Sequence, residues 1–86
     1  EFDDVRDAMY FLRGNYYLER GNYELALKDY DTAISLNPSK GIYYFNKIKI
    51  YRLVSKSANK TDKRKYEKLI KKNMKLIKEK DPDFNK

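Results

Sequence analysis

The chain has 86 residues, with 20 Lys plus Arg against 13 Asp plus Glu and no Cys, His or Trp, and this length predicts one small domain. Without Cys or His the usual zinc ligands and the partners of nucleophilic triads are missing, and no disulfide can brace the fold. The net charge of +7 is unevenly placed, because residues 1–39 hold 4 basic and 8 acidic side chains while residues 40–86 hold 16 and 5. Two unlike halves are therefore expected. The lack of Cys also favours an intracellular, cytoplasmic setting, and no uncharged run is long enough to span a bilayer.

Three Gly and two Pro fall where they cut the chain into helical lengths, so four helices are predicted. The first covers about Asp3 to Arg20, with Asp3, Asp4 and Asp7 in its first turn, where carboxylates meet the positive end of the helix dipole. Gly21-Asn22 breaks it. The second runs from about Tyr23 to Leu36, where Leu25, Ala26, Leu27, Tyr30, Ala33, Ile34 and Leu36 define one buried face. Asn37-Pro38 ends it, since the residue before proline is disfavoured in the helical region. The third, from about Lys40 to Ser55, is apolar on nearly every side and should be packed on several of them. Asn46, Lys49 and Arg52 recur at spacing three and read as a narrow polar seam. Ser55 to Thr61 has loop composition, and Thr61 or Asp62 is the expected cap of a fourth helix that reaches about Lys80. On a wheel of that helix, Tyr66, Leu69, Ile70, Met74, Leu76 and Ile77 cover about 160°, and Arg64, Lys68, Lys71, Lys72, Lys75 and Lys78 fill about 120° opposite.

Internal repetition follows the same division. A shift of 34 places Tyr10 on Tyr44 and Tyr17 on Tyr51, and a shift of 43 or 44 places the second helix on the fourth. Residues 7–40 carry Tyr10, Gly14, Tyr17, Ala26, Tyr30, Ala33 and Pro38 in a fixed register, with Gly21-Asn22-Tyr23 at the turn. This pattern resembles one tetratricopeptide repeat. Gly14 and Ala26 allow two helices to approach closely, and Tyr10, Tyr17, Tyr30, Tyr44 and Tyr51 read as packing residues. Tyr16 and Tyr43 are less constrained and are expected to be partly exposed. Arg13 departs from the family, which usually has Leu there. Residues 41–82 read as a divergent second repeat that keeps Tyr44, Tyr51 and a late Pro82. It places Ile48, and Leu69 or Ile70, where small residues belong, and inserts nine or ten residues between its helices. Wider separation or a changed crossing angle is expected for that pair. The whole chain, 1–86, is then a single all-α domain of antiparallel hairpins stacked as a right-handed superhelix, and a piece of a larger protein. Two repeats are few for such a stack, so the fourth helix is expected to act as a polar cap, or the third to mediate self-association.

The resemblance implies a protein-interaction or scaffold module whose concave groove binds an extended peptide or a partner helix. By position, the groove presents Phe11, Leu12, Asn15, Leu18 and Glu19 from the first helix and Ile42, Phe45, Asn46, Lys49 and Arg52 from the third. Co-chaperones of this family grip acidic C-terminal tails with a carboxylate clamp, and Asn15 and Asn46 match two of its positions. Phe11 replaces its first Lys and a third repeat is absent, so the clamp is incomplete, with Lys49 and Arg52 as substitute cations. Asn46→Ala or Lys49→Glu is expected to weaken partner binding with the fold intact. The alternative is a basic surface for nucleic acid or anionic lipid, formed by the lysine face of the fourth helix. Catalysis is not indicated: Asp29 and Asp31 do not face each other, no Gly-rich phosphate loop follows a strand, and no cofactor is expected.

Overall fold

The breakers separate four helices in a computed structural model, whose described residues are 4–84. They are α1 (Arg6–Glu19), α2 (Tyr23–Leu36), α3 (Gly41–Ser55) and α4 (Lys60–Lys80), with no strand among the described residues. The all-α class and the bounds of α2 are those read from the sequence. The start of α1 is later than expected. Asp4 stands before the helix, where its carboxylate accepts the Arg6 backbone N–H at 3.0 Å and pairs with the Arg6 guanidinium at 2.8 Å; Asp3 lies outside the described residues.

The first hairpin closes at Gly21, whose φ of +77° is open to glycine at no steric cost. The N–H groups of Gly21 and Asn22 return to the carbonyls of Leu18 and Tyr17 at 3.0 and 2.9 Å, so α2 runs back along α1. Close approach depends on Gly14. A Cβ there would lie 2.6 Å from Tyr30 Cε1 and 3.3 Å from the Ala26 carbonyl oxygen, and both neighbours are fully buried. Gly14→Ala should therefore cost about 1–3 kcal/mol of stability through overpacking, although alanine is the better helix former. A urea midpoint equal to that of the parent protein would contradict this. Arg13 is also explained, because its guanidinium donates to both oxygens of the buried Asp29 at 2.8 Å and so clasps α1 to α2.

α3 is the central helix, with Gly41, Tyr43, Tyr44, Asn46, Ile48, Ile50 and Tyr51 buried. α2 packs on one side of it and α4 on the other, while Phe11 of α1 meets the Tyr43 ring at a centroid distance of 5.0 Å. Tyr43 is 1% exposed, which corrects the expectation that it would be partly open; it faces the first hairpin. Tyr16 does lie half open. The rings that made α3 a candidate for self-association are mostly used inside the molecule.

α4 is capped by Asn59 rather than by Thr61 or Asp62, its Oδ1 accepting the Asp62 N–H at 2.8 Å. The inserted residues therefore form helix instead of loop: α4 has 21 residues against 14 in α2. It returns antiparallel to α3, since Tyr66 stacks on Tyr51 near the turn with ring centroids 6.1 Å apart. At the far end the Gly41 N–H donates to Asp81 Oδ2 at 2.8 Å and Phe84 packs on Gly41 and Phe45. Ile48 is buried and Leu69 and Ile70 are half-buried. The buried residue of α4 is Asn73, whose side-chain amide donates to the Leu69 carbonyl at 2.8 Å. The molecule is elongated, 50 × 28 × 20 Å.

Candidate functional site

Where α1 passes α3, three polar groups meet beneath the surface. The Tyr30 hydroxyl donates to Asn15 Oδ1 at 2.5 Å, and Asn46 Nδ2 donates to the same oxygen at 2.9 Å and to Tyr30 Oη at 3.4 Å. Two donors on Oδ1 fix the plane of the Asn15 carboxamide. Its NH₂ group makes no hydrogen bond among the described residues and is not buried, so Asn15 holds two N–H donors toward solvent.

Asn46 does not share that position. It is 5% exposed and spends its donors inward, so it stands behind Asn15 as its positioning residue. Steps of three residues rotate about 60° around a helix. The supposed seam therefore turns from the inner face at Asn46 to the outer face at Lys49 and Arg52, both exposed. The signal was present in the sequence, since Asn46 lies three residues after Tyr43 and four before Ile50, both buried. Asn46→Ala should consequently disturb the fold, which revises the expectation of an intact domain.

The other groove residues divide between wall and surface. Phe11 is half-buried against Tyr30 and Tyr43, with ring centroids 5.6 and 5.0 Å away. Leu18 and Ile42 are half-buried, whereas Leu12 and Glu19 are exposed. Phe45 is half-buried and carries the Lys49 ammonium 5.4 Å from its ring centroid. Lys49 and Arg52 have no ion-pair partner among the described residues, in contrast to Lys47, which pairs with Asp31 at 2.6 Å. The face thus offers fixed donors at Asn15, two unpaired cations, an aromatic ring and one carboxylate.

Asp7 has a different role from the one its helical position predicts. It is buried, accepting from the Tyr43 hydroxyl at 2.5 Å and from Asn37 Nδ2 at 3.3 Å, with Lys40 Nζ at 3.8 Å. The Tyr43 hydrogen bond, helped by Asn37 and Lys40, holds its carboxyl below the usual carboxylate range against the opposing effect of burial. Burial, and then the hydrogen bond to Asp7 and its charge, push the Tyr43 phenol upward. Asp7 therefore bolts the first hairpin to the start of α3. Its partners lie 30 and 36 residues away in sequence, and no local pattern announces them.

On α4, Arg64, Lys68, Lys71, Lys72, Lys75 and Lys78 are all exposed, and none forms an ion pair among the described residues. No described helix is long and apolar enough to cross a membrane. Residues 8–40 match the family model of the tetratricopeptide repeat, whereas comparison with curated proteins and with solved structures gives no match. The matched segment coincides with α1, its turn and α2, where Gly14, Ala26 and Tyr30 form the close helix contact. The tetratricopeptide repeat is a family of protein-interaction repeats. Residues 8–40, a stretch of 33 among the 86, are thus similar to a tetratricopeptide repeat.

Proposed function

We propose that the face formed by α1 and α3 binds an extended segment of a protein partner. The observation that carries this reading is the fixed carboxamide of Asn15, whose two free donors suit the carbonyls of a peptide backbone. Phe45 supplies apolar contact area, and Lys49 and Arg52 favour an acidic segment such as a C-terminal tail. With Asn46 engaged internally, the co-chaperone-like arrangement reduces to Asn15 and these two cations, while Glu19 discourages a carboxylate at its own end of the face.

Asn15→Asp replaces the donors by a charge that repels an acidic peptide. Capture of the partner from extract of the protein's own cells should fall by about 5–30-fold, equivalent to about 1–2 kcal/mol, whereas Lys65→Glu on the remote side of α4 should leave it unchanged. Equal capture by both variants would remove the face from consideration. The exposed, unpaired lysines of α4 support a second reading, a surface for nucleic acid or anionic lipid. Salt distinguishes the two. A complex held by six cations loses affinity far more steeply between low and physiological salt than one held by Lys49 and Arg52.

A further inference from the structure

A second concavity lies on the other flank of α3, against α4. Its walls are Phe45, Ile48, Met74, Ile77 and Phe84, and its volume is about 350 Å³. Arg52 and Lys78 also line it. Both are exposed, and neither has an ion-pair partner among the described residues. The apolar arc of α4 is incompletely covered here, since Met74 remains 45% exposed and Ile77 is half-buried.

We infer that this pocket is a docking site for an acidic peptide segment that carries one large apolar residue between carboxylates. Three observations select that occupant. The volume is near the lower end for ligand pockets, which span about 300–1,000 Å³, so it admits a side chain or two and not a whole helix. Phe84, against Phe45 and Gly41, closes the end beside the start of α3. The charged residues that line the pocket, Arg52 and Lys78, are both cationic, and the Asp81 carboxylate accepts the Gly41 N–H. From Phe45 to Arg52 is about 10 Å along α3 at 1.5 Å per residue. An extended acid–apolar–acid tripeptide spans about the same length. The apolar side chain enters between Ile48 and Met74 while the flanking carboxylates meet Arg52 and Lys78. The pocket shares Phe45 and Arg52 with the α1–α3 face but is defined by Met74, Ile77 and Lys78 and uses neither Asn15 nor Glu19, so substitutions at Met74 and at Asn15 tell the two apart.

The probe is a fluorescein-labelled Gly-Ser-Glu-Phe-Glu-Ser-Gly amide, followed by anisotropy, with helix content of each variant checked by circular dichroism. Replacing the Phe of the peptide by Ala should weaken binding by about tenfold or more, as loss of a buried anchor does. Met74→Asp should weaken it to a similar degree, and so should Lys78→Glu, which leaves the α1–α3 face unaltered, while Lys65→Glu keeps the parent affinity. Absence of binding overturns the inference, and equal binding of the Ala peptide does so by reducing the interaction to charge on the lysine face. A loss on Asn15→Asp as large as that on Met74→Asp would place the peptide on the α1–α3 face instead. Sedimentation that shows self-association abolished by Met74→Asp would give the pocket to a second copy and also overturn the inference.

Discussion

Tyr30→Ala should remove much of the stability of the molecule, by about 3–5 kcal/mol. The ring is fully buried in the cluster with Ala26 and Ile50 and lies in the space that Gly14 leaves open. Its hydroxyl also orients Asn15. Truncation leaves a cavity at the contact between all three of the first helices, in a chain of a size that seldom has more than about 5–10 kcal/mol to lose. Tyr30→Phe separates the two contributions, because it keeps the ring and deletes the hydrogen bond at about 0.5–1.5 kcal/mol. Urea unfolding of the two variants checks the ordering. A Tyr30→Ala protein within about 1 kcal/mol of the parent would mean that the surroundings close over the cavity.

The next largest effect is expected at Asp7. Asp7→Ala leaves the buried Tyr43 hydroxyl and the Asn37 amide without their acceptor, at about 2–3 kcal/mol. The same carboxylate predicts an acid-sensitive fold. Its folded pKa lies below the unfolded value of about 3.9, so its contribution is present above that value and is lost as pH falls through the folded pKa. Stability of the parent should decline below about pH 4, and Asp7→Asn, which titrates nothing there, should show a shallower decline. Melting temperatures between neutral pH and about pH 2 test this. Parallel acid limbs would transfer the effect to other carboxylates, of which Asp4 is held down to about 2 by the Arg6 side chain but is exposed.

The helices were legible because Gly21, Pro38 and the apolar spacing act locally: a turn residue or a three-and-four pattern constrains its own neighbourhood whatever packs upon it. The first repeat was legible for a related reason, since a close contact at Gly14 needs small residues at set positions in the chain. Buried polar residues were not. Asn46, Asp7 and Asn73 look like surface chemistry in a sequence, yet each is buried, and their burial depends on groups brought near by folding. Asn73 falls inside the apolar arc of α4, so its wheel position did carry a hint that its polarity concealed. Asn15 was named as a candidate from its position alone, and the hold of Tyr30 and Asn46 on its carboxamide became visible only with the packing of α1 on α3. The position of the α4 cap was missed because Asn59, Thr61 and Asp62 are all competent caps, and only the helix that forms selects among them.

The return of α4 to Gly41 bears on the order in which the chain assembles. The first hairpin is secured by contacts 15 and 16 residues apart, whereas the second is closed by a contact 40 residues apart. The additional loop-closure entropy is only about 0.8 kcal/mol. The first hairpin also has a glycine contact and a charged clasp midway along its helices, whereas the second relies on the Tyr51–Tyr66 stack near its turn until its last residues arrive. Residues 8–40 are therefore expected to nucleate, with α3 condensing on them and α4 zipping back along α3, so that Asp81 and Phe84 act as the final latch of the folding reaction.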